Sequence, residues 1–89
     1  MNSSKERRRL LILENDRALA RELEQIFADL DVTCSEGSDQ TLALVRRLEP
    51  DVVLFDLGGA KEPGVANQAL ELLRQILHIA PDTKIIAMT

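Results

Sequence analysis

Eighty-nine residues suffice for one domain with one modest core, because a chain this short buries only about 60 to 65% of the surface its unfolded form exposes. Hydrophobic residues at 45% and charged residues at 29% describe a globular protein and exclude a disordered tail or a fibre. A formal net charge of −4 and only two aromatic residues, Phe27 and Phe55, exclude both a phosphate-backbone binder and a base-stacking platform, so no direct nucleic-acid binding by this segment is expected.

No apolar run approaches the roughly 20 residues of a spanning helix, so no membrane partner is expected. The basic start, Lys5 with Arg7, Arg8 and Arg9, precedes too short an apolar stretch to act as a secretory signal, and a cytoplasmic location follows. Cys34 is the single cysteine; it cannot form an internal disulfide or a cysteine-based zinc site, and it reads as a core residue in a reducing compartment.

In chain order, Arg7 to Leu13 runs from basic residues into Leu-Leu-Ile-Leu, the pattern of a strand buried on both faces, and stops at Glu14-Asn15-Asp16. Leu19, Leu23, Ile26, Phe27 and Leu30 then recur at helical spacing, with Asp16 placed to cap and Glu22 and Glu24 facing water. Asp31 to Cys34 reads as a second strand, followed by a turn. Ser38 or Asp39 is expected to cap a second helix carrying Leu42, Val45 and Leu48, which Pro50 ends.

Val52 to Phe55 is the third apolar block, and it too ends on an acid, Asp56. Leu57 to Gly64 contains three of the four glycines and reads as a loop. Val65 to Ala80 carries a helical stripe through Ala66, Leu70, Leu73 and Leu77, with His78 in its last turn and Pro81 after it, and Lys84 to Met88 forms a fourth strand. Leu72, Ile76 and Ile79 widen that stripe beyond one face. The alternation βαβαβαβ implies an α/β fold: a doubly wound parallel sheet with helices on both faces.

Ligands of such sheets bind beyond the carboxyl ends of the strands, where strand order reverses. Glu14 and Asn15 follow the first strand, Asp56 closes the third and Thr89 follows the fourth. Two carboxylates and an amide oxygen make an oxygen-rich set suited to a hard cation such as magnesium, which commonly takes one or two carboxylates plus water and phosphate oxygens. Beside such a cation Asp56 can act as a nucleophile that forms an aspartyl phosphate, and Thr89 can donate a hydrogen bond to a phosphoryl oxygen.

Leu10-Leu-Ile-Leu-Glu-Asn-Asp16, Asp51-Val-Val-Leu-Phe-Asp-Leu57 and Lys84-Ile-Ile-Ala-Met-Thr89 resemble the first, third and fourth strand motifs of response-regulator receiver domains of two-component signalling. The resemblance covers essentially the whole chain and implies a flavodoxin-like receiver fold. It also implies roles: Asp56 as phosphoacceptor, Glu14 and Asn15 at the metal-binding acidic pair, Gly58 offering a backbone carbonyl to the metal, and Thr89 as the switch hydroxyl. It implies a sensor histidine kinase as donor and no enzymatic activity beyond this. The 13 positions from Asp56 to Ala69 are about five more than in an ordinary receiver, and that spacing resembles receivers of PEP-CTERM-associated response regulators, in which ATPase and DNA-binding output domains follow.

Against the family pattern, Asn15 stands at the second acid and Ala60 at a usual proline, and residues 1–89 comprise the N-terminal part of a receiver, without its fifth strand, last helices and phosphate-contacting lysine. Lys61 reads as a solvated loop residue. Two functions follow from these features. The first is a receiver phosphorylated on Asp56 that switches a transcriptional output. The second is a non-phosphorylated interaction or dimerisation module, favoured by Asn15 and the missing lysine, with an open fourth strand as the expected surface for a homodimer. A nucleotide-binding oxidoreductase is excluded, because Glu14-Asn15-Asp16 stands where a Gly-rich turn would be needed.

Overall fold

Leu10 to Leu13 are all buried, and so are Val53, Leu54 and Phe55, which requires two adjacent strands covered on both faces. The structure, a computed structural model, describes residues 7–36, 40–56 and 63–88, and for residues 63, 65 and 66 the backbone only. Its strands are β1 (Arg9–Leu13), β2 (Asp31–Ser35), β3 (Val52–Asp56) and β4 (Lys84–Met88); its helices are α1 (Arg17–Ile26), α2 (Thr41–Leu48) and α3 (Pro63–Ile79). The strands form one parallel sheet in the order β2-β1-β3-β4, the flavodoxin-like arrangement. Strand order reverses between β1 and β3.

Period-two alternation divides the strand residues between two apolar layers. Leu11, Leu13, Val53 and Phe55 face Val45 of α2 and Ile76 of α3. On the opposite side Leu10, Ile12 and Leu54 pack with Leu23 of α1 and with Phe27 and Leu30 just beyond it. The sheet is therefore wound on both faces, with α1 the described helix on one of them.

Three local expectations are corrected. The first helix ends at Ile26, not Leu30: Phe27 is the C-cap, and the Leu30 amide donates to the Phe27 carbonyl in a tight turn. Leu30 keeps the helical spacing because the turn returns it to the same apolar layer. The second helix has Gln40 at its N-cap, without a side-chain bond; Ser38 and Asp39, expected in that role, lie outside the described residues. At its other end Glu49 takes a left-handed conformation, φ 48°, and its amide reaches the Val45 carbonyl.

The third correction concerns α3, which starts at Pro63 rather than Val65 and presents a different face to the sheet. Ile76 is fully buried and Ala69, Leu72, Leu73 and Ile79 pack around it, whereas Leu70 and Leu77 are 50% and 47% exposed. The helix is apolar around much of its girth, so periodicity alone allows two neighbouring stripes about 100° apart that share Leu73. Contact with α2 and the sheet selects the stripe through Ile76.

The amino ends of the strands are tied together away from the prospective site. The Arg9 guanidinium donates to the Leu48 carbonyl at 2.7 Å, the Arg9 amide donates to the Asp51 carboxylate at 2.8 Å, and the Thr83 hydroxyl donates to the Pro50 carbonyl at 2.8 Å. These bonds satisfy a helix C-terminus and hold β1, β3 and β4 at one level. Beyond this, β4 is an edge of the described sheet, and Ile86 on it is 54% exposed.

Candidate functional site

Leu13 and Phe55 are partners in the β1–β3 register, so the next residue of each strand, Glu14 and Asp56, emerges at the same carboxyl edge. Glu14 is held from both flanks. Its amide donates to the Ser35 carbonyl of β2 at 2.9 Å, and its Oε2 accepts from the Asp16 amide at 3.0 Å. Asp16 is the N-cap of α1, its Oδ1 accepting from the amides of Ala18 and Leu19 at 3.0 and 3.2 Å.

Glu14 is only 8% exposed, and its second oxygen, Oε1, is buried with no hydrogen-bond donor among the described residues. Burial is the main cause that raises the Glu14 carboxyl above its ordinary pKa. The neighbouring Asp56 carboxyl and the negative charge of Asp16 raise it further, while the Asp16 amide opposes them. This is the electrostatic signature of a site that favours added positive charge.

Asn15 is exposed beside Glu14. Gly58, Thr89 and the loop residue Lys61 lie outside the described residues. The structure thus brings Glu14, Asn15 and Asp56 to one edge. The donor set suits magnesium: an orphaned buried carboxylate oxygen, a second carboxylate and an amide oxygen are hard ligands. Among the described residues no group of three or more His, Cys, Asp or Glu side chains is placed to hold a metal.

Sequence reading identified Asp16 as a helix cap but missed its amide bond to Glu14. The signal was the two-residue offset, since a cap residue fixes the direction of its own N–H as well as those it accepts.

No protein-family model matches the chain. Over 85 residues it is 32% identical to the response regulator GacA of Pseudomonas viridiflava and 31% identical to that of Pseudomonas syringae pv. syringae. The GacA of Pseudomonas protegens is 32% identical over the same length. The chain is a homologue of response regulators. These matches take in 91% of the chain but only 37 to 38% of each relative, so it spans well under half the length of the response regulators it matches. The four-stranded parallel sheet fits the receiver domain that the strand motifs resemble. Among the described residues no helix of this response-regulator homologue is long and apolar enough to cross a membrane.

Proposed function

We propose that the chain is a receiver that accepts a phosphoryl group on Asp56 from a sensor histidine kinase and switches a transcriptional output in the cytoplasm. The observation that carries this reading is the buried Glu14 carboxylate near Asp56 at the reversal of strand order, its Oε1 without a donor among the described residues. Glu14, Asn15, Asp56 and the Gly58 carbonyl would hold a magnesium ion, which when bound offsets the negative charge between the carboxylates and the incoming phosphoryl group.

In the transfer, a carboxylate oxygen of Asp56 attacks phosphorus in line with the donor's P–N bond. An O–P bond forms, the P–N bond breaks, and its electron pair returns to the donor imidazole. Glu14 is held at the strand end by the Asp16 amide on its Oε2. Thr89 is assigned as the switch hydroxyl that would donate to a phosphoryl oxygen. The transcriptional output, with ATPase and DNA-binding domains, follows the likeness of the Asp56-to-Ala69 spacing to PEP-CTERM-associated regulators.

Incubation with a small phosphodonor and magnesium, followed by intact-mass analysis, should show one phosphoryl adduct on the parent and none on Asp56→Asn. An adduct that persists in the variant refutes the assignment to Asp56. A parent that never takes up phosphate favours the non-phosphorylated interaction module, for which Asn15 in place of an acid is the supporting feature.

A further inference from the structure

Glutamate has one more rotatable bond than aspartate, so a glutamate at a metal site needs something to aim it. In this chain the Glu14 backbone is fixed by its amide bond to the Ser35 carbonyl, at 2.9 Å. That bond leaves the side chain free to turn. The carboxylate itself is held by the Asp16 amide, at 3.0 Å from Oε2.

The direction of that amide is set by the cap that Asp16 itself makes. Its backbone is extended, φ −79° and ψ 108°, and its Oδ1 receives the amides of Ala18 and Leu19. Its carbonyl accepts the Ala20 amide at 2.9 Å and opens the helix. Four hydrogen bonds therefore meet at this residue, three directed into α1 and one at the glutamate. Engaging Oε2 in this way fixes one oxygen of the carboxylate and leaves Oε1 buried without a donor among the described residues.

We propose that Asp16 is a positioning residue for the cation site, using its helix-capping side chain to fix the amide that aims Glu14. This rests on the magnesium reading given above. Asp16 also acts on Glu14 through its charge, in the opposite sense to its amide. The two contributions separate in variants: Asp16→Asn keeps a capping oxygen and discards the charge, whereas Asp16→Ala discards both.

The test is a magnesium titration of the chelator-stripped protein, with circular dichroism on the same samples. Asp16→Ala should bind magnesium about tenfold more weakly than the parent, the lower end of the range for losing a group that orients a ligand. Asp16→Asn should stay within about twofold, because the cap persists. Where Asp16→Ala loses helix, Asp16→Gly takes its place, since glycine at this position preserves the helix at little cost yet cannot clamp the turn. Glu22→Gly on the solvent face of α1 weakens the same helix without touching the cap, and it should bind like the parent.

Parent-like affinity in the Ala and Gly variants overturns the proposal while leaving the magnesium reading intact. Equal weakening in Asp16→Asn reduces the effect to charge, and equal weakening in Glu22→Gly reduces it to helix stability; either result also overturns it. A parent that binds no magnesium overturns the cation site itself, and the positioning role with it.

Discussion

Replacing Glu14 by glutamine should stabilise the metal-free protein at neutral pH and remove its response to magnesium. The parent holds a buried Oε1 without a donor among the described residues, an arrangement that costs about 1–3 kcal/mol. Glutamine can turn its amide N–H toward Asp56 and supply the missing donor, so a gain of about 1–2 kcal/mol is expected. For a domain of this size that is a sizeable part of a total of roughly 4–13 kcal/mol. With a urea slope of about 1 kcal/mol/M the midpoint should rise by about 1–2 M.

The pH dependence gives the sign. The folded-state pKa of Glu14 lies above its ordinary 4.5. Between the two values the folded protein holds more protons than the unfolded chain, so parent stability falls as pH rises through the folded pKa and is complete only below the unfolded one. The glutamine variant lacks this loss, and its advantage should shrink as the pH is lowered toward 4.5. Magnesium at about ten times its dissociation constant should return about 1.4 kcal/mol to the parent alone. Urea titrations in chelator and in magnesium, each at acidic and neutral pH, measure all of this. A variant less stable than the parent at neutral pH in chelator, or a difference that ignores pH, refutes the reasoning.

Asn15→Asp should tighten magnesium binding by roughly five- to thirtyfold, as one added charge beside a divalent ion in a water-exposed setting contributes about 1–2 kcal/mol; unchanged affinity in a titration removes Asn15 from the metal's surroundings. Ile76→Ala should cost about 2–5 kcal/mol because Ile76 is fully buried. Ile26→Ala, at a side chain 68% exposed, should stay within about 0.5 kcal/mol. Urea midpoints in the reverse order would show that α3 packs by another face.

The strand pattern was legible because parallel strands buried on both sides read as unbroken apolar blocks, and both Leu10 to Leu13 and Val53 to Phe55 fulfilled that. The acids at the strand ends were legible for the same reason, since each marks where an apolar block stops. Other features depended on tertiary contacts. Leu30 satisfies helical spacing from within a turn, and α3 carries two apolar stripes between which only the contact with α2 decides. The juxtaposition of Glu14 and Asp56 needed the register that pairs Leu13 with Phe55, which periodicity along one strand does not contain. Gly58 and Thr89 fall outside the described residues, so their assigned places rest on motif position.

The order β2-β1-β3-β4 explains why the acids carry a physical tension at this edge and not elsewhere. After β1 the chain moves outward to β2, then returns past β1 to build β3, so α1 and α2 leave the sheet on opposite faces. The β1–β3 edge lies where the two crossovers part, and the acids that end these strands meet there. Directly beneath, Leu13 and Phe55 are pinned in the larger apolar layer, so neither strand end can withdraw without opening the core. Apolar packing thus holds Glu14 in a buried position that its own solvation opposes, with Asp16 fixing one oxygen and leaving the other without a donor among the described residues. On the proposed reading, a cation supplied from solution would relieve that opposition and would make the stability of the strand ends sensitive to the chemistry of the site.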